Sequence, residues 1–410
     1  MAKFSGIIWA TSAYNMSGYS AVARIYLLGI AKTGFPIRLL ELGTNDDLLP
    51  SSIQKKLNEL QKTDIGTNPA LVIHSVPDFY KTVYWKHVPY KILCTIFETH
   101  RIPKHWVPIC NSFDEVWIPS EFNRKSFSDS GVMKNKLNVF PYGIDTTLYG
   151  KNKAKLNIKG KKGFTFLYIC EFSYRKGIDL LLNAFTSTFS KDDDVTLVLK
   201  ISFPGIKHIS PPEAKMNLNS CYPGNTWFDD AHNPNIVVLS EPFTQDQLIS
   251  LINSADVYIS TDRANGYGIP CLEAMALGIA AATIDWSGST EFMKENNSLL
   301  IKPELELENV DQKLISPPYF LYKDQKWAVV KLENVKAVLR YAYNNKGKVK
   351  MLGKKGRDYV DNNLTDKLIG EKVVKHVLSL DVQLSEKQIK IYKRSDNLAY
   401  RILNKIVKVY

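Results

Sequence analysis

Short apolar segments of strand length alternate with helical stretches along most of this 410-residue chain. Such alternation is typical of a parallel β-sheet, because the crossover from one parallel strand to the next is usually an α-helix. The chain is also too long for one ordinary hydrophobic core. We therefore predict an α/β protein with two parallel-sheet units.

The predicted strands form two groups, separated by a lysine-rich stretch with few apolar residues at 151–163. We place the first unit at residues 1–155 and the second at 156–385. The strands of the first unit are predicted at 7–10, 37–42, 70–73, 92–97, 115–118 and 137–140. Those of the second unit are predicted at 164–169, 196–201, 236–239, 257–260 and 279–284.

Composition restricts the compartment and the chemistry. The 45% apolar and 23% charged residues are those of a folded soluble protein. Five cysteines without paired spacing indicate a reducing compartment, and no His, Cys or acid cluster has metal-ligand spacing. The chain shows no signal-peptide pattern and no apolar run near the ~20 residues that cross a bilayer. We therefore expect a cytoplasmic protein without a metal site.

The net charge of +12 favours an anionic partner. Residues 387–410 concentrate this charge, with seven Lys or Arg against one acid. Apolar residues recur there at helical spacing, at Leu398, Ile402, Ile406 and Val409. We predict a basic helix at 386–410, which either lies on an anionic membrane or packs on the protein with its lysines in water. No recognisable binding motif supports nucleic acid as the partner.

The segment NGYGIPCLE, residues 265–273, carries the strongest signal of a ligand site. It follows the predicted strand at 257–260, so its glycines fall where a strand gives way to a helix. Pro270 suits the first turn of a helix and Gly278 suits its end. We therefore predict a helix at about 270–277.

This geometry predicts how the segment could bind a polar ligand. Glu273 would lie in the first turn of the helix, while Gly266 and Gly268 would let the backbone approach the ligand closely. From spacing alone, a tight turn without a ligand is the alternative.

Two further loops follow predicted strands. Small polar residues precede Gly18 at a helix start, which is a weak signal for a phosphate cradle, and no dinucleotide-binding glycine motif is present there. Arg175 and Lys176 precede a predicted helix at 178–185, where cations can meet a diphosphate. The alternative for this pair is a solvated basic surface.

Several segments resemble, in the same order, the retaining glycosyltransferases of family 4. Besides the 265–273 segment they are SGYSAVAR, DEVWIPSEFN, PYGID, RKGIDLLL, SADVYIS and WSGSTEF. The resemblance extends from about residue 5 to 380. It implies the GT-B fold: two Rossmann-like, doubly wound domains that face a cleft, with the nucleotide sugar held mainly by the second domain and the acceptor mainly by the first.

The resemblance also implies roles for individual residues. Glu273 would bind the ribose hydroxyls, since a carboxylate can accept two hydrogen bonds. Lys176, with Arg175, would neutralise the diphosphate. Glu241 lies in the loop, residues 241–244, where the base would bind. Backbone amides would bind the sugar or the phosphates at Gly18, Gly266, Tyr267 and Gly268.

This chain departs from the family pattern at two positions. Glu171 stands where the family commonly has an Arg, and Asn265 stands where the first of two Glu residues usually binds the donor sugar. An amide can donate and accept hydrogen bonds but carries no negative charge. Retention by front-face attack needs support for the departing diphosphate more than a protein nucleophile, so Asn265 remains a catalytic candidate.

Acceptor-side candidates come from the first half of the chain. Glu98 and His100 follow the predicted strand at 92–97, and either could orient an acceptor hydroxyl or assist its deprotonation. A capping or loop role is the alternative. His74 and Asp78 are weaker candidates.

The resemblance implies a hexosyltransferase of polysaccharide biosynthesis that uses a UDP- or GDP-linked sugar as substrate and needs no cofactor. Its acceptor would be a growing glycan or glycolipid. A catalytically silent GT-B protein that binds a nucleotide sugar or glycan as a partner subunit is the alternative, motivated by Asn265 and Glu171. A nucleotide-sugar epimerase of the same architecture fits the matched segments less well.

Overall fold

The computed structural model describes residues 3–15, 17–43, 49–79, 90–150, 153–206, 208–228, 231–311 and 319–380. Within these ranges the chain forms two compact units. Unit 1 comprises the chain up to Phe97, then Arg101–Asp145, and again the chain from Leu364. Unit 2 comprises Glu98–His100 and Thr146–Asn363.

Unit 1 is built on a six-stranded parallel sheet, with the strand order β2-β1-β3-β4-β5-β6. All six strands that the sequence predicts for the first unit are confirmed, because each is a short, nearly continuous apolar run. They are β1 (Gly6–Thr11), β2 (Ile37–Glu41), β3 (Pro69–His74), β4 (Lys91–Cys94), β5 (Glu115–Ile118) and β6 (Leu137–Val139). The helices between them are α1 (Gly18–Ala31), α2 (Ser51–Leu60), α3 (Trp106–Asn111) and α4 (Glu121–Ser130).

Unit 2 contains a second six-stranded parallel sheet and a small antiparallel pair, β13 and β14. The strands are β7 (Phe164–Glu171), β8 (Val195–Ser202), β9 (Asn235–Leu239), β10 (Val257–Ile259), β11 (Ala280–Ile284), β12 (Leu299–Ile301), β13 (Leu307–Asn309) and β14 (Lys326–Ala328). The helices are α5 (Ile178–Thr188), α6 (Pro211–Cys221), α7 (Gln245–Ile252), α8 (Ile269–Ala276), α9 (Leu332–Asn344) and α10 (Lys346–Asn363). The predicted strands β7 to β11 are confirmed, whereas β12 is too short an apolar run to be recognised in the sequence.

The division into units differs from the predicted boundaries, because the last described helix, α11 (Asp366–Ser379), packs on α1 in unit 1. The two helices approach closely at glycines: a Cβ on Gly29 would lie 2.3 Å from the carbonyl oxygen of Asp366. The Nζ of Lys32 lies 2.5 Å from the Asp366 carboxylate. Unit 2 therefore ends at Asn363 rather than at 385, and it begins at Thr146 rather than at 156. The predicted helix at 386–410 lies outside the described residues and stays a prediction.

Both sheets have a point where the strand order reverses. In unit 1 it lies between β1 and β3, and in unit 2 between β7 and β10. In open α/β sheets, ligands bind at the carboxyl ends of the strands beside such a point, because the connecting loops diverge there and leave a crevice.

Within the described ranges, no helix is both long and apolar enough to cross a bilayer.

Candidate functional site

The loops that follow β7 and β10 meet at the crevice of the unit 2 sheet. The backbone amide of Arg263 donates to the carbonyl oxygen of Arg175 at 2.8 Å. Gly177 has a φ of 59°, and a Cβ there would lie 2.1 Å from the carbonyl oxygen of Thr261, so this close approach requires glycine. The guanidinium of Arg263 binds both carboxylate oxygens of Asp179, at 3.0 and 2.8 Å, which fixes the two loops as one surface.

The two predicted diphosphate cations lie on this surface, and each contacts an acid. The Nζ of Lys176 lies 2.8 Å from the carboxylate of Asp262, which also accepts a hydrogen bond from the Tyr168 hydroxyl. The Nε of Arg175 lies 3.3 Å from the Glu98 carboxylate. Each cation is therefore held in place by protein before any ligand binds.

Asn265 connects the loop after β10 to the loop after β11. Its side chain donates to the Ser289 hydroxyl at 3.3 Å and accepts from the Ser289 backbone amide at 3.1 Å. Its own backbone amide donates to the Ser287 hydroxyl at 3.0 Å. Asn265 is only 4% exposed, so the amide that was predicted to contact the donor sugar is engaged inside unit 2.

Helix α8 begins one residue earlier than predicted, because Gly268 adopts the left-handed conformation at its N-cap with a φ of 86°. Pro270 lies in the first turn, as predicted. Glu273 therefore lies in the second turn, not in the first. The helix ends as predicted at Gly278. The backbone amide of Gly278 donates to the carbonyl oxygen of Met275, and that of Ile279 donates to the carbonyl oxygen of Ala274. Two of the last carbonyl oxygens of the helix are thereby satisfied.

The carboxylate of Glu273 lies against Tyr149, a residue that the sequence did not indicate. The Tyr149 hydroxyl donates to Glu273 and accepts from the Gln245 side chain at 2.7 Å. Burial raises the pKa of Glu273 to about 7, although the bond from Tyr149 acts to lower it. Arg357 donates to the backbone oxygen of Tyr149 at 2.6 Å and so fixes its position.

The candidates Glu98 and His100 belong to unit 2 and pair with the segment around β14. The backbone amide of His100 donates to the oxygen of Lys326 at 3.2 Å, and the Lys326 amide donates to Nδ1 of His100 at 3.0 Å. The Glu98 carboxylate accepts a hydrogen bond from the Tyr322 hydroxyl and forms an ion pair with Arg175. The described contacts thus join Glu98 to a predicted diphosphate cation.

Three of the remaining predicted residues lie elsewhere in unit 2. Glu241 is exposed, and its carboxylate accepts from the amide of Ser240 at 2.9 Å. The ring of Tyr267 is buried against Phe292, with their centroids 5.0 Å apart. The backbone oxygen of Gly266 faces Gly288, where an added Cβ would lie only 1.6 Å away.

Gly18 lies in unit 1, as the exposed first residue of α1 behind the N-cap Ser17. The loop that precedes it is well supported. Arg24 donates to the backbone oxygens of Ala13 and Asn15 at 2.8 and 2.7 Å. The phosphate-binding role of Gly18 stays a prediction.

His74 and Asp78 also lie in unit 1. His74 is 2% exposed, and neither ring nitrogen has a hydrogen-bond partner among the described residues. Burial lowers the pKa of His74 to about 3, so the ring is neutral. The Asp78 carboxylate accepts from the Trp106 indole at 2.7 Å and contacts His105 at 2.6 Å, which gives it a structural function in the turn after β3.

Among the residues that the structure describes, no group of three or more His, Cys, Asp or Glu side chains is placed to hold a metal ion.

Comparison with known proteins gives one family match. Residues 163–315 match the family model described as glycosyl transferases group 1. The matched region contains the crevice of the unit 2 sheet, both cations that face it, and α8 with Glu273. No curated protein matches the chain.

Solved structures share the fold at low sequence identity. A glycosyltransferase from Rickettsia africae is 14% identical, with 92% of this chain and 100% of that chain covered and a TM-score of 0.63. Anabaena HepE in complex with UDP-glucose is 13% identical, with 92% and 100% covered and a TM-score of 0.59. Sucrose-phosphate synthase from Thermosynechococcus elongatus is 13% identical, with 90% and 98% covered and a TM-score of 0.58. The two sheets therefore have the fold of GT-B glycosyltransferases.

Proposed function

We propose that this protein is a glycosyltransferase that moves a sugar from a nucleotide diphosphate sugar to an acceptor hydroxyl. One observation carries the proposal. In unit 2, Arg175 and Lys176 face the sheet crevice while the Glu273 carboxylate follows on the adjoining helix, all within the region that matches the family model. Two cations and a carboxylate suit a diphosphate and a ribose, respectively.

The proposed chemistry depends on stabilising the departing diphosphate. Lys176 and Arg175 would neutralise the negative charge that develops as the bond between the sugar and the phosphate breaks. Glu98 and Asp262 act as positioning residues, because each holds one of these cations in place. The departing phosphate takes the proton of the acceptor hydroxyl, and the new bond forms on the same face of the sugar with retention.

Asn265 has no nucleophilic part in this scheme. Its amide is bound to Ser289, which supports a role in shaping the sugar-binding loop rather than in attacking the sugar. The donor would be a UDP- or GDP-linked hexose, and the acceptor a glycan or glycolipid. The amides of the 266–268 loop would contact the sugar or its phosphate.

The test measures the release of nucleoside diphosphate from a panel of UDP-, GDP- and ADP-sugars. We expect one donor to release its diphosphate, and Glu273→Gln to lower kcat/KM by about 10- to 100-fold, the effect of losing buried hydrogen bonds to a charged group. The exposed variant Glu295→Gln is the matched control and should behave as the wild type.

A second candidate function is favoured by the buried amide of Asn265: a silent GT-B protein that binds a nucleotide sugar as a partner subunit. Nucleotide binding without release from any donor, in the presence of candidate acceptors, would support this alternative and reject the enzyme. If no nucleotide binds, both functions are wrong.

A further inference from the structure

Helix α10 begins with a strongly basic sequence. Residues 346–357 contain five lysines, one arginine and no acid, and the two acids of the helix come after them. A helix N-terminus carries a partial positive charge, which favours acids and disfavours cations. Lys346, Lys350 and Lys354 also follow one another at spacings of four residues, at which like charges repel. The helix therefore carries its charges in an unfavourable order, which a negatively charged partner would offset.

Close packing against unit 2 determines which side of α10 meets solvent. A Cβ on Gly353 would lie 2.2 Å from the carbonyl oxygen of Gly278, just after α8, so the two backbones are in contact and the rotation of the helix is fixed. The five lysines are all exposed. Among the described residues none of them forms an ion pair, whereas Arg357 pairs with Asp361 at 2.7 Å. The lysines therefore form a fixed basic surface on unit 2.

An exposed apolar side chain lies among these lysines. Met351 is 59% exposed. Residues three and four positions apart are neighbours on the surface of a helix. The residues three before, three after and four after Met351 are Lys348, Lys354 and Lys355. We call these four residues the basic face of α10, in which cations surround an apolar centre.

A depression of about 360 Å³ lies beside this methionine. Its lining includes three lysines, Lys302, Lys348 and Lys355, and one acid, Glu295. The side chain of Tyr341, near the end of α9, also lines it and is 41% exposed. The surface beside the basic face thus repeats its composition, with apolar groups among cations.

We propose that the basic face of α10 binds the surface of an anionic lipid membrane. The lysine ammoniums contact the lipid phosphates, and Met351 inserts among the first methylene groups of the lipid chains. The long stems of the lysines keep their charges at the phosphates while the apolar centre enters the membrane. This inference goes beyond the proposed function and does not depend on it.

Two other partners fit this surface less well. Nucleic acid offers phosphates to the lysines, but contacts to its backbone come from polar and charged groups and leave Met351 without an apolar partner. A second copy of this chain carries the same net charge of +12 and is repelled. A membrane, by contrast, satisfies both the cations and the apolar centre.

The experiment measures co-sedimentation of the full chain with phosphatidylcholine vesicles that contain or lack phosphatidylglycerol. We expect the wild type to bind only the vesicles with phosphatidylglycerol. A variant that combines Lys348→Gln, Lys354→Gln and Lys355→Gln should bind them about 100-fold more weakly, because each lysine at an anionic surface contributes about fivefold. The predicted basic helix at 386–410 is unchanged in this variant, so the loss belongs to α10.

The matched control combines Lys155→Gln, Lys159→Gln and Lys191→Gln, which removes the same charge at exposed positions of unit 2. Its affinity should fall less than about threefold, because exposed charges farther away than a Debye length are screened. Met351→Ser keeps the charge and should bind about fivefold more weakly, since less apolar surface leaves water. Met216→Ser, at a methionine of α6 that is 68% exposed, should bind as the wild type does.

A folding defect is measured separately. Each substituted lysine of α10 is exposed, and its removal relieves repulsion within the helix. The combined α10 variant should therefore unfold at a temperature no lower than that of the wild type in differential scanning calorimetry. A lower unfolding temperature would contradict the charge argument and reject the inference.

Four binding results would also overturn the inference. They are a wild type that does not bind phosphatidylglycerol vesicles, equal losses in the two combined lysine variants, wild-type binding by Met351→Ser, and full binding by the combined α10 variant. The last result would assign membrane binding to another part of the chain, such as residues 386–410. If the combined α10 variant loses affinity for double-stranded DNA but not for vesicles, the surface is a nucleic-acid site instead.

Discussion

The side chain of Asn265 both donates to and accepts from Ser289, as an amide can. A carboxylate at the same position could not donate, although it could accept from both the backbone amide and the hydroxyl of Ser289. It would also bring a negative charge to a side chain that is 4% exposed. The departure from the glutamate of the family that the chain resembles therefore coincides with a structural role of this side chain inside unit 2.

We expect Asn265→Asp to destabilise unit 2 by about 1–3 kcal/mol, because a charge is buried in place of a neutral amide. The unfolding temperature without ligand should fall by several degrees in differential scanning calorimetry. Asn296→Asp, at an exposed position, is the control and should not change it. An unchanged unfolding temperature in Asn265→Asp would contradict the structural role.

The pKa of Glu273 predicts how nucleotide binding depends on pH. In the proposed function the ionised carboxylate accepts from the ribose hydroxyls, and its pKa in the ligand-free protein is about 7. Below that pH, nucleotide affinity should fall about tenfold per pH unit, because binding must then release a proton. Calorimetry in buffers of different ionisation enthalpy should detect this proton at pH 6, and Glu273→Gln should abolish it.

The same raised pKa lowers the stability of the folded protein at high pH, where nucleotide affinity is expected to be highest. Because the folded-state pKa of Glu273 lies above the ordinary glutamate value, its contribution to stability is complete at low pH and is lost as the pH rises through about 7. Glu273→Gln should therefore raise the unfolding temperature of the ligand-free protein at pH 8. A lower unfolding temperature at pH 8 would contradict this sign.

Tyr149→Phe tests the partner of Glu273. Its hydroxyl acts to lower the pKa of Glu273, so removing it should raise that pKa and shift the pH profile of nucleotide affinity to higher pH. Tyr341→Phe, at an exposed tyrosine of α9, should leave the profile in place. A profile that does not move in Tyr149→Phe would show that the contact has no electrostatic effect.

At the scale of elements, the loops after β10 and β11 are packed backbone to backbone. A Cβ on Gly288 would lie 1.6 Å from the carbonyl oxygen of Gly266. The preceding Ser287 has a φ of 68°, an uncommon value for a residue other than glycine. Its hydroxyl accepts a hydrogen bond from the backbone amide of Asn265. The shape of the 266–268 loop is therefore determined by the loop behind it.

Gly288→Ala should displace the 266–268 loop, since no side chain fits between the two backbones. We expect nucleotide affinity to fall by at least about tenfold, consistent with the loss of one or two buried hydrogen bonds. Gly347→Ala is the matched control, because no atom lies within 4 Å of a Cβ at that position. Equal nucleotide affinity in the two variants would mean that the loop does not contribute to binding.

Strands and helices could be predicted from the sequence where residues close together in the chain determine them. Apolar runs identified β1 to β11, and Pro270 with Gly278 located α8 to within one residue. The contact between Tyr149 and Glu273 joins residues 124 positions apart, and no local pattern encodes it. The pairing of Glu98 with Arg175 likewise depends on tertiary packing.

At the scale of the whole molecule, unit 1 contains chain from both sides of the main stretch of unit 2, Thr146–Asn363. Helix α11 packs on α1 through glycines, and a Cβ on Gly370 would lie 2.3 Å from the oxygen of Gly29. The carboxylate of Glu115 on β5 accepts from His376 at 2.8 Å, which fixes the C-terminal part of α11 to unit 1. Unit 1 is therefore incomplete without residues that follow the whole of unit 2.

Gly370→Leu should separate α11 from α1, because the side chain has no space between the helices. Hydrogen exchange of peptides from both helices should become faster, while peptides from α8 in unit 2 keep their protection. Lys372→Leu, at an exposed position of the same helix, should leave exchange in α1 unchanged. Unchanged protection of α1 in Gly370→Leu would contradict the packing of these helices.

The return of α11 to unit 1 has a consequence for synthesis on the ribosome. Domains usually fold as they emerge, the N-terminal one first. Here nearly all of unit 2 lies in one continuous stretch, Thr146–Asn363, whereas unit 1 needs α11, which emerges after it. Once the first 145 residues have been made, the surface of α1 that α11 covers therefore stays exposed until the long stretch of unit 2 has been translated. Unit 1 is translated first but is completed last.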